Sequence, residues 1–599
     1  MSISVLQDKL LPTLDFLLHD WLRVSDLLER RRFAEHDRAG VDDLLRNAAL
    51  IAAERYEPAN RVIDDQEPVM DEDGRVVLPK EAQAAWDAFV EFGFMLAAQD
   101  EEHGGMQLPH TADFAAKTIF GAASIAVSPA MLTEANASLL LAHGTRTQQE
   151  VFARRELQGQ WSGTMCLSES QAGSSLSDIT TRAVLDDEAD PLGPRYRVTG
   201  DKMWISSAEH ELTENIIHLV LAKVPGPDGV VDPSTRGISL FVVPKLLVDT
   251  GGVLGERNGV TLVSLNHKLG FRGTPNTALR FEGATGYLVG RPGEGLRQMF
   301  HMMNAARIGI GLAAASLGFA GYAVSLDYAK SRRQGRPATR TGKDATQQQV
   351  ALVDHADVRR MLLAQKAYAE GGIALGLLAA RLLDDQQTGS PAEAATASRL
   401  LEILTPVVKS WPSEWCLEAN SLAIQVMGGA GYTRDFPVEQ YWRDNRLNMI
   451  HEGTHGIQAL DLLGRKVLLE DGACVTALGE RISATVDSAR SGGFSDEADD
   501  LSTAWESAVA TATSAWSTGD PEEALANATP FLQGFGHVVL AWVWLDVAVA
   551  AQGSDHPEAP GKLAAMRYFF AYELPRVGAW FEVVARREPL CRELDPAVL

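Results

Sequence analysis

Cysteine is scarce in this chain. Its four cysteines in 599 residues (Cys166, Cys416, Cys474 and Cys591) stand far apart with no C-x-x-C pair. That usage builds neither a disulfide framework nor a zinc ribbon and suits a reducing compartment. Positive charge is also short: 54 Lys and Arg against 79 Asp and Glu leave a net charge of −25, which argues against nucleic acid and anionic membrane as partners. The first stretch, MSISVLQDKLLPTLDFLLHD, lacks the basic n-region of a signal peptide, so a cytoplasmic protein is expected. No internal repeat and no low-complexity tract is present. One uncharged run, IGIGLAAASLGFAGYAVSL (308–326), is long enough to span a bilayer. It is built from Gly, Ala and Ser rather than Leu and Ile, and Arg307 and Asp327 flank it. Small residues all round a helix suit close packing in a bundle, so no membrane partner is expected.

What is present is ordinary for a soluble globular protein: 46% apolar and 22% charged residues. The length implies about three or four domains at roughly 150 residues each, and the texture of the chain divides it into four. Residues 1–160 are mostly helical, with apolar residues three and four apart in LLPTLDFLLHDWLRVSDLLERRRF, and a further helix after Pro79. Residues 161–290 change to short β-branched runs such as RYRVTGDKMWISSA and GISLFVVPK, punctuated by Gly, Pro and Asp, which predict a barrel or sandwich. Residues 291–468 return to long amphipathic helices. Residues 469–599 form an extra helical domain, with VVLAWVWLDVAVAAQ its most buried helix. The fold class is therefore α+β.

One short pattern raises a chemical question. MIHEGTHGIQ (449–458) contains H-E-x-x-H, the zinc-protease signature, with His451 and His455 as ligands and Glu452 as general base. Zinc requires both histidines on one face of a helix, a third ligand and an open position for water. Gly453 costs a helix about 1 kcal/mol relative to Ala, and Thr454 and Gly456 lower helix propensity further. The five residues therefore predict a loop entering the helix IQALDLLGRK. Glu470 is the one downstream candidate for a third ligand, and no motif supports it.

Five further segments, in order, supply another reading. MCLSESQAGSSLSD is similar to T-E-P-x-A-G-S-D, DKMWISSA to K-x-W-I-T-N, YAKSRRQGR to an Arg-bearing helix end, IQVMGGAGYTRDFPVEQYWRD to G-G-x-G-Y, and IHEGTHGIQ to Y-E-G-T-x-x-I-Q. By these the chain resembles the acyl-CoA dehydrogenase family over about residues 80–465, a resemblance that implies a four-helix bundle over 291–468. The extra C-terminal domain resembles the large bacterial branch, which includes enzymes for medium and long fatty acyl-CoAs and 3-methylmercaptopropionyl-CoA dehydrogenases.

The resemblance implies FAD as cofactor and dehydrogenation of an acyl-CoA thioester to a trans-2-enoyl-CoA. Glu452 would be the α-proton base, with hydride passing to flavin N5. Met165, Leu167 and Ser168 would line the isoalloxazine, Gly173 would admit the backbone, and Ser174 would reach cofactor or substrate. Trp204 would pack on the flavin beside Ile205, with Ser206 near N5. Gln425, Gly428 and Gly429 would cradle the pyrophosphate, with Arg332 reaching from the neighbouring subunit of a homodimer. Thr454 joins the cofactor set, while Asn304, Arg307 and Gly453 are the expected substrate contacts. No metal is expected, and an electron-transferring flavoprotein is the expected electron acceptor. Four positions depart from the family pattern: Ser175 for Asp, Ser206 for Thr, Asn304 for Asp and His451 for Tyr. An acyl-CoA oxidase using O₂, a zinc peptidase through His451, Glu452 and His455, and a non-catalytic scaffold are the alternatives.

Overall fold

The computed structural model describes residues 4–127, 130–226, 228–338, 340, 342 and 345–599; the side chains of residues 5 and 301–304 are outside that description. The chain forms two compact units, one from Ile51–Gln107 and Ser124–Ala306, the other from Met1–Leu50, Leu108–Ala123 and Arg307–Leu599.

The first unit is built on a seven-stranded sheet. Its strands are β1 (Trp161–Cys166), β2 (Arg182–Asp187), β3 (Arg195–Ser206), β4 (Asn215–Lys223), β5 (Ile238–Pro244), β6 (Val260–Leu265) and β7 (Asn276–Val289). The pairing runs β6–β7–β3–β2–β4–β1, and β5 pairs both β7 and β4, so five strands close into a ring. This is the barrel that the short, evenly spaced β-branched runs predict; closure removes exposed edges. Strands β4 and β5 are buried along their whole length, which explains their largely apolar sequences. Strand β1 lies parallel to β4, with Met165 opposite Leu219.

The second unit is helical. Helix α1 (His110–Ala123) is followed by α2 (Gly295–Ser331, of which the part from Arg307 belongs here), α3 (Ala356–Thr388), α4 (Pro391–Met427) and α5 (His455–Gly464). Helices α6 (Ala473–Ser491), α7 (Ser495–Ala515), α8 (Ala528–Gln552), α9 (Ala559–Tyr568) and α10 (Val577–Ala585) follow in the same unit. The Gly/Ala/Ser run packs as a bundle helix. A Cβ at Gly311 would collide with the carbonyl oxygen of Val408 on α4, and one at Gly318 would sit 2.7 Å from Cys416 Cβ. Residues 305–331 and 528–552 are long and apolar enough to cross a membrane, yet most of each apolar window is buried within the protein. The C-terminal helices are not a loose appendage. Helix α8 packs on α4 and α5, and Lys562 of α9, fully buried, pairs with Glu370 of α3 at 2.8 Å.

Candidate functional site

In the helical unit the segment around Glu452 is a loop, and helix begins only at His455 with Thr454 as its N-cap, Oγ1 accepting from the Ile457 amide. Glu452 has φ +51 and Gly453 φ +88. Holding a glutamate in the left-handed region costs about 1–2 kcal/mol, so the surrounding contacts must fix it there. Four such contacts are visible. Gln458 Nε2 donates to the Glu452 carbonyl at 3.3 Å, and Lys409 Nζ on α4 donates to the Gly453 carbonyl at 2.7 Å. His451 Nε2 lies 3.0 Å from Asn448 Oδ1. His455 Nε2 lies 3.3 Å from Glu414 Oε2, whose other oxygen accepts from Gln533 Nε2 of α8 at 2.6 Å. The Asn448 amide continues inward to Asn445 and then Asn420, which anchors on the Leu317 carbonyl of α2.

With both carbonyls tied back, the Glu452 side chain makes no hydrogen bond or ion pair among the described residues, and its amide N–H donates to none of them. The residue keeps some solvent access, but protein crowds its carboxyl. Burial raises its pKa above the ordinary carboxyl value, while the nearby charges of Arg307 and then Lys409 pull it down. Arg307 is buried, with Nη1 3.5 Å from Asp461 Oδ2, and its Nε has no hydrogen-bond partner among the described residues. Asp461 is shared with Arg465 at 2.8 Å. The site is thus a single carboxyl, free to act on something outside the chain, beside two buried cations.

This geometry removes the support for the zinc reading. The two histidines of H-E-G-T-H stand on either side of the helix start and meet different groups, His451 hydrogen-bonded to Asn448 and His455 beside the Glu414 carboxylate, instead of facing a common point. Glu470 pairs with Arg399 at 2.8 Å.

In the barrel unit the two remaining motif segments are stitched together. The Met203 amide donates to the Ser168 carbonyl at 3.0 Å. Lys202, fully buried, reaches Glu169 Oε1 at 3.0 Å and the Leu167 carbonyl at 2.9 Å. The Glu169 carboxylate also accepts five hydrogen bonds, from Thr180 and Thr181 through amide and hydroxyl and from Gln171. Against the burial that raises it, Lys202 and these donors hold the Glu169 carboxyl down at about 2. On this base sits Trp204 with φ +67 and its side chain 62% exposed, so it is not a core strand residue. Ile205 beside it is buried in the barrel core, and Ser206 Oγ lies 3.4 Å from Asn276 Nδ2. Met165, Leu167 and Ser168 are half-buried. Gly173 and Ser174 are exposed, and no protein neighbour requires a glycine at 173. Ser175 donates to Asp178 Oδ2 at 2.6 Å.

At the C-terminal end of α4, Gln425, Gly428 and Gly429 are exposed. Gly428 has φ +60 and ψ −133, and nothing lies within 4 Å of where a Cβ would stand on either glycine. Arg332 is exposed just past the end of α2. The side chain of Asn304 lies outside the described residues. Sequence reasoning missed Lys409, Glu414, Glu169 and Lys202. The available signal was a charged residue inside an otherwise apolar helix or strand, as in LTPVVKSWPSEW, where burial without pairing is costly.

Comparison with known proteins gives four matches to family models: acyl-CoA dehydrogenase, N-terminal domain (44–160), middle domain (164–284) and C-terminal domain (293–468), and acetyl-CoA dehydrogenase C-terminal like (478–595). A 3-methylmercaptopropionyl-CoA dehydrogenase of Ruegeria pomeroyi is 39% identical over 85% of this chain and 86% of the relative. The broad-specificity linear acyl-CoA dehydrogenase FadE5 of Mycobacterium tuberculosis is 31% identical over 97% and 98%. Among solved structures, Caenorhabditis elegans ACDH-11 in complex with C11-CoA matches with a TM-score of 0.75 at 19% identity, covering 98% of this chain and 96% of that one. An acyl-CoA dehydrogenase complexed with FAD from Bacillus anthracis matches with a TM-score of 0.71 at 17% identity, over 92% and 88%.

Proposed function

Since this chain belongs to the acyl-CoA dehydrogenase family, we propose that it is an FAD-dependent enzyme in which Glu452 removes the α-proton of an acyl-CoA thioester, giving the trans-2-enoyl-CoA. The observation that carries this reading is the Glu452 loop: a strained backbone presenting a partly shielded carboxyl that no group among the described residues satisfies, beside an amide N–H that also lacks a partner among them.

The residues present fit a flavin. Trp204 offers a large exposed indole on a hydrogen-bonded base of Lys202 and Glu169, and a planar cofactor face is the natural cover for it. Gly428 and Gly429 leave open space at a helix end, where a diphosphate can approach the backbone. Met165, Leu167, Ser168, Gly173, Ser174, Ile205, Ser206, Gln425 and Thr454 complete the proposed set. Exposed Arg332 would serve the cofactor of a partner subunit in a homodimer. FAD, when bound, supplies the acceptor for the hydride that leaves the β-carbon.

The chain's own residues then do the rest. The free amide of Glu452 is placed to donate to a thioester oxygen, which makes the α-proton more acidic. Gly453 keeps the loop slim where the thioester lies, and Arg307 and Asn304 are the proposed contacts along the substrate. The Glu452 carboxylate takes the α-proton, and its raised pKa brings it closer to the operating pH, as a general base requires. Electrons would leave to an electron-transferring flavoprotein, as the expected partner. The acyl group would fall among those named for the relatives, linear or sulfur-bearing.

Anaerobic titration of the purified protein with a panel of acyl-CoAs tests the reading, because the flavin absorbance itself reports the redox step. Bleaching by at least one member, without peroxide release on admission of air, is expected. A colourless protein, or flavin that no acyl-CoA bleaches, refutes it.

A further inference from the structure

Lys409 is a buried charged side chain with few partners in the helical unit. It sits midway along α4, is fully buried, and hydrogen-bonds among the described residues only to the Gly453 carbonyl. An ammonium has three protons to place, and taking one into a protein interior with a single acceptor is costly. A methionine of similar length would fill the same space without that cost. The position of the lysine is set from behind, where α2 meets α4 through Gly311 at the Val408 carbonyl.

We infer that Lys409 is a positioning residue for the reaction proposed above: its ammonium latches the catalytic loop through the Gly453 carbonyl and keeps a positive charge beside Glu452 that favours the ionised base. The inference rests on that reading of Glu452 and deepens it.

Two functions meet in one side chain. Among the contacts that hold Glu452 at φ +51 are those that tie back its own carbonyl and that of Gly453, and Lys409 ties the second of them. The same ammonium lowers the pKa of a carboxyl that burial alone would raise further. Reciprocally, burial brings Lys409 itself down to about 7, with Glu452 opposing that fall and Arg307 adding to it. The charged and titratable groups around the pair are few. Arg307 faces it from α2, Asp461 and Arg465 lie behind Arg307 on and after α5, and Glu402 and Glu414 are on α4. His451 and His455 flank the loop and are engaged with Asn448 and Glu414. Arg307 acts on Glu452 more strongly but is shared with Asp461, whereas Glu452 is the one carboxyl that acts on Lys409.

The test compares the wild type with Lys409→Met and Lys409→Gln. Methionine removes charge and hydrogen bond; glutamine removes the charge and keeps a donor for the Gly453 carbonyl. Flavin reduction by a saturating acyl-CoA is followed in single turnovers across pH, and hydrogen exchange of the 447–456 peptide is followed without substrate. Both variants should move the acid limb of the rate profile upward by about one pH unit, about tenfold in rate at a pH on that limb. Only Lys409→Met should speed exchange in the loop. If Lys409→Met fails to retain flavin, Lys409→Gln carries the charge test alone. An acid limb unmoved in Lys409→Gln overturns the electrostatic role, and loop exchange unchanged in Lys409→Met overturns the latch. Either result leaves the proposed reaction standing as long as the wild type is bleached by acyl-CoA; a wild type that is never bleached refutes the reaction instead.

Discussion

Replacing Lys202 by methionine should destabilise the barrel unit selectively, and the structure sets the size of the effect. Glu169 and Lys202 are both buried, 3.0 Å apart, and the carboxylate takes five more hydrogen bonds. Its pKa falls from an ordinary 4.5 to about 2 in the folded protein, worth about 3 kcal/mol through proton linkage. Because the folded value is the lower one, this contribution is complete above about pH 4.5 and fades as the pH drops through about 2. Removing the ammonium leaves a buried carboxylate without its cation, a change that costs about 3–5 kcal/mol. The surviving Thr180, Thr181 and Gln171 donors put the expected loss at the lower end, about 3 kcal/mol. For a unit of this size that corresponds to a Tm lower by about 6–12 °C. Calorimetry at pH 7 reads it directly, with acyl-CoA absent. The double variant Lys202→Met/Glu169→Gln should recover part of the loss, since a neutral amide no longer needs the cation. A Tm within about 2 °C of wild type in the single variant would show that the pair contributes little and refute the reasoning.

Other perturbations test the frame around the loop. Gly311→Ala drives a methyl into the Val408 carbonyl and should cost about 1–3 kcal/mol, seen as a lower urea midpoint together with slower flavin reduction, because Lys409 is the next residue. Gly428→Ala meets no neighbour but must adopt φ +60 with ψ −133, so about 1–2 kcal/mol of backbone strain and weaker flavin retention on gel filtration are expected. Lys562→Met removes one of two lysines on the buried Glu370, whose pKa burial raises but Lys366 and Lys562 bring below the ordinary value. That stabilisation is present at neutral pH and lost as pH falls, so the variant should unfold at a higher pH than wild type in an acid titration followed by circular dichroism.

Much of this architecture is legible in the sequence because it rests on local rules. Alternating β-branched runs between turns give the barrel, and the Gly/Ala/Ser stripe gives a helix that approaches α4 closely enough for Gly311 to meet its backbone. Gly453 and Thr454, which disfavour helix, break the zinc signature into a loop, as the structure has it, whereas Gly456 is tolerated in the first turn of α5. The N-terminal segment is less transparent: its helices divide between the two units, with residues 51–107 beside the barrel and residues 1–50 and 108–123 beside the bundle, a partition set by tertiary packing that no periodicity encodes. The same holds for the charges. Lys202 and Glu169 are 33 residues apart, and Lys409 meets Gly453 across 44 residues; an apolar setting such as that of Lys409 hints at burial, but only the fold supplies the partner. Trp204 was legible as a motif residue, but its exposure follows from a left-handed backbone that sequence does not announce.

The central claim is that one carboxyl does the proton transfer. Single-turnover flavin reduction by an acyl-CoA that bleaches the wild type, measured in Glu452→Gln, tests it most directly. The glutamine keeps the size of the side chain and the loop contacts, and loses only the ability to take a proton at neutral pH. Full flavin content, an unchanged melting profile and loss of reduction by at least about a thousandfold, within the usual contribution of a positioned base, are the predicted results. Flavin reduction at the wild-type rate in Glu452→Gln would contradict the account.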